Sequence, residues 1–225
     1  MPIDSVPEPF VDTSLDPSVR GFLHRPASDA SATLVITHGA GGNAKSALLI
    51  ALAEEFAAHG FNVLRCDLPF RQHRSFGPPR PGDAARDREG LKNAVAAMRK
   101  VGPGRMFLGG QSYGGRQATM LCAESPDLVD GLLLLSYPLH APGKPDQPRI
   151  QHLPKLHVPC LFVHGTHDPF GSIAEIQSAL KLIPGKTELL PVEGAGHDLG
   201  FKGKAKNQPL PEEVIEAFRR FFKTP

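Results

Sequence analysis

Short, continuously apolar runs alternate along this chain with longer stretches of helical periodicity, and this alternation constrains the fold more than any other feature of the sequence. Uninterrupted apolar strands are typical of parallel sheets that are covered on both faces. Strands that alternate with helices indicate βαβ units. We therefore predict an α/β fold with a mostly parallel, doubly wound sheet, in a single domain over residues 1–225. The predicted strands are residues 33–37, 62–67, 106–109, 131–136, 159–164 and 187–192, and the predicted helices are residues 44–58, 87–100, 116–124, 172–182 and 212–222.

Glycine and proline mark most of the joints between these elements, which accounts for 23 residues of each in a chain of 225. Residues 11–15 and 21–24 predict a hairpin before the first parallel strand. Two connections, residues 69–83 and 139–158, are longer than the others and rich in proline. Both follow the carboxyl end of a strand, where open α/β sheets bind ligands, so we expect them to border a site.

The composition excludes several classes of protein. Lysine and arginine total 25 and aspartate and glutamate 23, and the net charge of +2 is too small for a dedicated nucleic-acid binder. No apolar run approaches the roughly 18 residues of a membrane helix, and residues 1–10 lack the basic and apolar segments of a signal peptide. Cys66, Cys122 and Cys160 fit neither a disulfide framework nor a zinc spacing. We expect a cytoplasmic protein that needs no cofactor and has no nucleic-acid or membrane partner.

One string carries a chemical signature. Residues 110–114 read Gly-Gln-Ser-Tyr-Gly and match the G-x-S-x-G pattern of a nucleophile elbow, in which a serine occupies a sharp turn between a strand and a helix. Glycines two residues before and two residues after the serine allow the strand and the helix to pack closely. The string follows an apolar strand in the middle of the predicted sheet and precedes a predicted helix. It therefore predicts Ser112 as a nucleophile.

A serine hydroxyl needs a base, and an acid that orients the base, because it is unreactive at its own pKa. In folds with this elbow the chain order is serine, acid, histidine. Asp168 is the acid that follows the strand at residues 159–164, and His197 lies in a glycine-rich loop between the last strand and the last helix. We predict Ser112, Asp168 and His197 as a catalytic triad, with Asp198 as the main alternative acid.

The glycine run at residues 38–42 has two interpretations. An oxyanion hole needs a backbone N–H from the residue after the nucleophile and another from a loop after an early strand, which predicts Tyr113 and Ala40. A phosphate-binding loop is the alternative, but the run lacks both the G-K-[S/T] ending and the G-x-G-x-x-G spacing. A zinc site built from His38, His164 and His167 with Asp168 and His197 is a further alternative. We predict no metal, because such a site would leave the elbow serine without a role.

With these residues, the chain resembles the α/β hydrolases over nearly its whole length. Several strings resemble one branch, the hydrolase-like domain shared by the third subunit of the NSL histone-acetyltransferase complex, its testis-expressed relative and small bacterial proteins. These strings are residues 38–42, 109–116, 136–140, 164–171 and 194–198. The resemblance implies an α/β-hydrolase fold, hydrolysis of an ester, thioester or amide through an acyl-enzyme, and the same three triad residues. The branch also implies that its large eukaryotic members act within assemblies.

The leading hypothesis is a serine hydrolase that cleaves an ester or thioester of a small or exposed acyl group. Residues 139–158 leave room for a minimal cap only, so we expect an open site. Tyr137, Leu139 and His140 are expected to line it. Arg71 or Arg74 is expected to meet an anionic substrate, unless the loop that carries them is simply solvated. The alternative is a hydrolase-like interaction module with little or no turnover. The sequence does not indicate a protein partner and does not exclude one.

Overall fold

Eight strands form one sheet in the computed structural model, which describes residues 7–201 and 209–224. In chain order they are β1 (Glu8–Asp12), β2 (Val19–His24), β3 (Ala32–Thr37), β4 (Phe61–Cys66), β5 (Arg105–Gln111), β6 (Gly131–Leu135), β7 (Cys160–Gly165) and β8 (Thr187–Val192).

The sheet has the strand order β1-β2-β4-β3-β5-β6-β7-β8. The pairs β1–β2 and β2–β4 are antiparallel, and every pair from β4 through β3 and β5 to β8 is parallel. All six residues of β3 and all five of β6 are buried, as expected for strands covered on both faces. The predicted mostly parallel α/β sheet is confirmed. A hairpin is also present, formed by β1 and β2, but its first strand begins at Glu8, three residues before the predicted start, and ends at Asp12.

Helices cover both faces of this sheet. They are α1 (Ala47–Ala58), α2 (Pro69–His73), α3 (Asp83–Arg99), α4 (Tyr113–Glu124), α5 (Ile173–Leu180) and α6 (Leu210–Phe222). One apolar core combines α1 and α6 with one face of the sheet, where Phe56, Phe61, Phe107 and Phe218 pack edge to face or tilted. The other core combines α3, α4 and α5 with the opposite face. This arrangement is the doubly wound architecture that the sequence predicts.

Several elements differ from the prediction, and among them α1 begins at Ala47, three residues after its predicted start. The connection at residues 69–83 contains α2, a five-residue helix that begins with Pro69 at a position that favours proline. Helix α3 begins at Asp83, four residues before the predicted start, and Asp83 accepts the N–H of Arg80 at 2.6 Å. Helix α4 begins at Tyr113, three residues before its predicted start.

The connections at the carboxyl ends of the parallel strands gather at one edge of the sheet. The loop after β3, the turn after β5 and the loops after β7 and β8 all lie there, because parallel strands end on the same side. Between β6 and β7 the chain forms only a 3₁₀ turn (Leu153–Lys155) and otherwise irregular structure. Among the described residues, no helix is both long enough and apolar enough to cross a membrane.

Candidate active site

Ser112 occupies the turn between β5 and α4 with a strained backbone. Its φ of 51° and ψ of −116° lie in a region that costs a non-glycine residue about 1–3 kcal/mol. The flanking glycines make this turn sterically feasible. A Cβ on Gly110 would lie 2.9 Å from the carbonyl oxygen of Thr37, and one on Gly114 would lie 2.5 Å from that of His38. Strand, turn and helix therefore pack so closely that only glycine fits on either side of the serine.

The Ser112 hydroxyl ends a chain of three hydrogen-bonded side chains. His197 Nε2 lies 2.8 Å from Ser112 Oγ, and His197 Nδ1 lies 2.8 Å from Oδ2 and 3.0 Å from Oδ1 of Asp168. The Asp168 side chain is fully buried, whereas a quarter of the His197 side chain is exposed. An ionised carboxylate can only accept, so Nδ1 carries the proton and Nε2 is free to accept the serine proton. The structure brings the three predicted residues together in the predicted order.

Backbone hydrogen bonds hold the acid loop against the base loop. The N–H of Thr166 donates to Val192 at 3.1 Å, and the N–H of His167 donates to Ala195 at 2.9 Å. The Asp168 carboxylate is further held by the N–H of Phe170, which donates to Oδ1 at 2.8 Å. These bonds fix the position of the Asp168 carboxylate independently of its contact with the His197 imidazole.

Two more contacts fix the histidine itself. The Phe170 ring stacks on the His197 imidazole with centroids 4.1 Å apart and ring planes 27° apart. Gln111 donates its side-chain N–H to the carbonyl of His197 at 3.3 Å. The imidazole is therefore held from its face and from its backbone, which limits the orientations that its ring can take.

The glycine-rich loop after β3 lies directly beside Ser112. A Cβ on Gly39 would lie 3.3 Å from Ser112 Cβ. Ala40 donates no backbone hydrogen bond in the described part of the chain, and Tyr113 is the first residue of α4, where an N–H has no acceptor within the helix. Both residues line the same cavity as Ser112. The residues that carry the two N–H groups predicted for an oxyanion hole thus line the cavity together with the serine.

His38 helps to hold this loop. Its Nδ1 donates to the carbonyl of Gly39 at 2.8 Å, and its Nε2 accepts the N–H of Leu68 at 3.1 Å. Burial lowers the pKa of His38, although Gly39 and Asp67 oppose that shift. Because both ring nitrogens already have backbone partners, the imidazole is a neutral structural element. Within residues 7–201 and 209–224, no group of three His, Cys, Asp or Glu side chains could hold a metal ion.

Arg71 lies behind the glycine-rich loop and not in the lining of the cavity. Its guanidinium donates to the carbonyl of Gly42 at 2.8 Å, to that of Ala40 at 2.9 Å and to that of Gly77 at 2.9 Å. A fourth bond joins it to the carbonyl of Arg74 at 3.1 Å. The expected contact between Arg71 and a substrate is therefore replaced by contacts with backbone carbonyls, because α2 directs the side chain into the loop.

The residues expected to line the site after β6 lie elsewhere. Tyr137 is buried, its hydroxyl donates to the carbonyl of Arg149 at 3.2 Å, and burial raises its pKa to about 12. Leu139 and His140 line a separate depression of about 370 Å³ beside α5. None of the three lines the cavity at Ser112. Pro138, which lies between Tyr137 and Leu139, does line the cavity, and the N–H of Leu139 donates to the carbonyl of Tyr137 at 3.0 Å across it.

The cavity at Ser112 has a volume of about 740 Å³. Its wall combines the glycine-rich loop, the elbow and the triad histidine with apolar side chains and two arginines. Besides the backbone of residues 39–42, Ser112, Tyr113 and His197, the lining includes Ser46, Ala47, Leu48, Pro78, Pro79, Gln111, Arg116, Pro138, Arg149, Phe170, Asp198 and Phe201. A cavity of this size and lining is typical of a small-molecule site.

Sequence reasoning missed four functional side chains here. Arg116 and Arg149 line the cavity, Phe170 stacks on the base, and Asp87 accepts the hydroxyl of Tyr113 at 2.7 Å. For Arg116 a signal existed, because it follows Ser112 by four residues and so lies one helical turn farther along the same face. For the other three, nothing in the local sequence indicates the contact.

Comparisons with known proteins agree with this architecture. Residues 30–223 match the family model described as alpha/beta hydrolase domain. The quorum-quenching protein AidA of Acinetobacter baumannii (strain MDR-ZJ06) is 30% identical over 120 residues, which cover 50% of this chain and 39% of that protein. The chain thus matches about two fifths of the length of this relative.

Two solved structures share the fold over nearly the whole chain. Est1E from Butyrivibrio proteoclasticus superposes with a TM-score of 0.73 at 17% identity, covering 96% of this chain and 98% of its own. Dienelactone hydrolase from Anabaena variabilis ATCC 29413 gives a TM-score of 0.73 at 20% identity, with coverage of 96% and 98%. At these identities the similarity shows the fold alone. With the family model matched over residues 30–223, the chain belongs to the alpha/beta-hydrolase family.

Proposed function

We propose that this protein is a serine hydrolase that cleaves an ester or thioester of a small or exposed acyl group through an acyl-enzyme. The observation that carries the proposal is the hydrogen-bonded chain from Ser112 through His197 to Asp168, which opens into the 740 Å³ cavity. A nucleophile within reach of a base, and a base oriented by a buried acid, is the arrangement that activates a serine.

The proposed reaction begins when Ser112 Oγ attacks the carbonyl carbon of the substrate. Its proton passes to His197 Nε2, and the buried Asp168 carboxylate stabilises the imidazolium at Nδ1. The tetrahedral oxyanion accepts hydrogen bonds from the N–H groups of Ala40 and Tyr113. The C–O or C–S bond then breaks, and His197 returns its proton to the leaving group.

Hydrolysis of the acyl-enzyme repeats the same steps with water as the nucleophile. His197 Nε2 takes a proton from water, the hydroxide attacks the acyl carbon, and the proton returns to Ser112 Oγ when the acid is released. The first and the last proton transfers thus use the 2.8 Å contact between His197 and Ser112, and the other two join His197 Nε2 to the leaving group and to water.

The preference for a small or exposed acyl group rests on what covers the cavity. The connection between β6 and β7 contributes Pro138 and Arg149 to the wall of the cavity. The helical structure in this connection is a single 3₁₀ turn. Pro78 and Pro79, from the connection between α2 and α3, border the other part. Among the described residues, these two connections supply no long helical lid over the cavity, and this supports a small or exposed acyl group. The resemblance to the branch that includes the third subunit of the NSL complex stays part of the proposal and names no acyl group.

A fluorophosphonate probe tests the nucleophile directly, because it reacts with activated serines. We expect the wild-type protein to be labelled and Ser112→Ala and His197→Ala to lose labelling. Ser178→Ala, which removes an exposed hydroxyl on α5, is the matched control and should be labelled like the wild type. If folded wild-type protein is not labelled, the mechanism is wrong and an interaction module becomes the better interpretation.

The leaving group is tested with two substrates that carry the same acyl group on different leaving groups. Comparing kcat/KM for a p-nitrophenyl ester with that for the coenzyme A thioester of the same acid separates an esterase from a thioesterase. Turnover of either substrate that depends on Ser112 supports the proposal. Turnover that persists in Ser112→Ala contradicts it.

A further inference from the structure

Two arginines line the cavity beside the elbow serine. Arg116 lies in the first turns of α4, four residues after Ser112, and Arg149 lies in the connection between β6 and β7. Both side chains belong to half-buried residues. Guanidinium groups that line a cavity without partners are unusual, because a buried charge is costly unless it is paired.

The charge of Arg116 has no partner in the described part of the chain. Its Nε is buried without a hydrogen-bond acceptor, and neither Arg116 nor Arg149 lies within 4 Å of a carboxylate of residues 7–201 and 209–224. The neighbouring Arg88 shows the contrast, because its Nε lies 3.3 Å from the Glu124 carboxylate. Arg116 therefore offers donors to the cavity that the protein itself does not use.

The positive charge of Arg116 also acts on its surroundings. Burial lowers the pKa of Arg149, and the charge of Arg116 lowers it further. The pKa of His152 is lowered to about 4, mainly by burial and then by Arg116 and Arg88. An anion between the two guanidinium groups would remove this repulsion.

The connection after β6 fixes Arg149 in place before any ligand arrives. Its N–H donates to the carbonyl of Leu139 at 2.7 Å, and its carbonyl accepts the Tyr137 hydroxyl at 3.2 Å. Its Nη1 lies 3.4 Å from the carbonyl of Pro138. The backbone N–H and carbonyl of Arg149 are thus both hydrogen-bonded to residues 137–139, which follow β6. These bonds fix the backbone from which the Arg149 side chain reaches the cavity.

We propose that Arg116 and Arg149 form an anion-binding subsite that holds a carboxylate carried by the substrate. The planar fork of a guanidinium matches the two oxygens of a carboxylate, and such charge-assisted hydrogen bonds are the strong ones. Among the described residues that line the cavity, Asp198 supplies one carboxylate against these two guanidinium groups. The remaining positive charge suits a monoanion. This inference deepens the proposed hydrolase function and rests on it for the position of the scissile bond.

Binding to Ser112→Ala tests the subsite without any turnover. Monomethyl glutarate, which carries an ester and a carboxylate, is compared with methyl pentanoate, which carries the ester alone, by calorimetry or by chemical-shift titration. We expect the carboxylate ligand to bind at least about tenfold more tightly. Adding Arg116→Gln or Arg149→Gln should remove most of that difference. Equal affinity for the two ligands overturns the subsite, and tighter binding of inorganic phosphate than of monomethyl glutarate overturns the assignment to a carboxylate.

Turnover provides the second readout. The preference is the ratio of kcat/KM for the p-nitrophenyl monoester of glutarate to that for p-nitrophenyl pentanoate, after subtraction of spontaneous hydrolysis. We expect Arg116→Gln and Arg149→Gln each to lower this ratio about tenfold or more, because a ratio cancels any general loss of active protein. Arg219→Gln removes an equal charge from an exposed position on α6 and should keep the wild-type ratio. A ratio unchanged by both cavity variants contradicts the proposal.

The two experiments separate this inference from the proposed function. If Ser112→Ala binds monomethyl glutarate through the arginines while wild-type protein hydrolyses neither ester, the subsite stands and the hydrolase proposal fails. If wild-type protein hydrolyses both esters through Ser112 with no preference that depends on the arginines, the hydrolase stands and the subsite fails. Competition in wild-type protein by monomethyl glutarate, compared with methyl pentanoate, tests the subsite without any arginine variant, so failure of a variant to fold leaves the inference testable.

Discussion

The guanidinium of Arg71 donates to the carbonyl of Ala40 at 2.9 Å, and this bond fixes the peptide beside the N–H that we propose for the oxyanion hole. A second bond, to the carbonyl of Gly42 at 2.8 Å, holds the other end of the same turn. Arg71 is thus a positioning residue: it acts on the reaction through the loop and lies outside the cavity lining.

Arg71→Lys should lower kcat and leave KM nearly unchanged. Lysine keeps the charge but cannot reach several carbonyls in one plane. Loss of one oxyanion donor costs about 10²–10³ in kcat, so a displaced donor should cost roughly 10- to 100-fold. Steady-state kinetics on a p-nitrophenyl ester measure the split between kcat and KM. Arg80→Lys, at an exposed position in the same connection, is the control. A rise in KM at constant kcat would show that Arg71 meets the substrate instead.

Asp168→Asn should lower kcat by about 10³- to 10⁴-fold with little change in fold, because an amide no longer holds the proton of the imidazole on Nδ1. The Asp168 carboxylate, with its oxygens 2.8 and 3.0 Å from His197 Nδ1, is the group that orients the base. Asp198→Asn should cost less than about tenfold. Single-turnover and steady-state rates of both variants check this expectation. A larger loss in Asp198→Asn than in Asp168→Asn would assign the acid to Asp198.

The sequence was sufficient for the sheet and for the elbow because their signals are local. Each parallel strand is buried on both faces and so appears as an apolar run, and the elbow requires glycine at fixed distances from Ser112. The same glycines obscured the start of α4. Gly114 and Gly115 are poor helix formers, which moved the predicted start to Arg116, yet close packing requires both. A Cβ on Gly114 would lie 2.5 Å from the carbonyl oxygen of His38, and one on Gly115 would lie 2.6 Å from that of Gly110.

The substrate-facing side chains could not be predicted, because their directions depend on contacts far away in the chain. Arg71 turns inward to reach carbonyls of a loop about thirty residues earlier, at Ala40 and Gly42. Tyr137 is buried because residues 139–158 fold back over it and supply the Arg149 carbonyl as its acceptor. No local pattern encodes either path, so the place of Arg149 in the cavity wall could be found only from the structure.

Tyr113→Phe should separate the structural role of the Tyr113 hydroxyl from the proposed catalytic role of its backbone N–H. The Tyr113 hydroxyl donates to Oδ2 of the buried Asp87 at 2.7 Å, and burial raises the pKa of both groups. Without the hydroxyl, Asp87 keeps the N–H of Phe70 at 3.0 Å but loses one donor. We expect the free energy of unfolding to fall by about 1–3 kcal/mol while kcat stays within roughly tenfold, because the backbone N–H is unchanged.

Urea denaturation and ester kinetics measure the two quantities for Tyr113→Phe. The double variant with Asp87→Asn is the control, and its loss of stability should be smaller than the sum of the single losses because the two groups share one hydrogen bond. A kcat that falls a hundredfold or more, with stability unchanged, would place the hydroxyl itself in the reaction.

His24, in β2, should make the free energy of unfolding depend on pH. Its Nε2 accepts the N–H of Arg65 Nε at 2.8 Å, and burial, followed by the charge of Arg65, lowers its pKa from 6.5 to about 4. The unfolded chain therefore binds more protons than the folded protein below about pH 6.5. Stability is complete above that pH and is lost as the pH falls toward 4, by about 2 kcal/mol between pH 6.5 and 4.5.

His24→Gln removes this titration and keeps an acceptor for Arg65, because the amide oxygen can take the place of Nε2. We expect the free energy of unfolding of His24→Gln to change less between pH 6.5 and 4.5 than that of wild-type protein, as measured by urea denaturation at several pH values. His73→Gln, at an exposed position on α2, should keep the wild-type dependence. Equal slopes for wild-type protein and His24→Gln would mean that protonation of His24 does not oppose folding, and that other groups cause the loss of stability in acid.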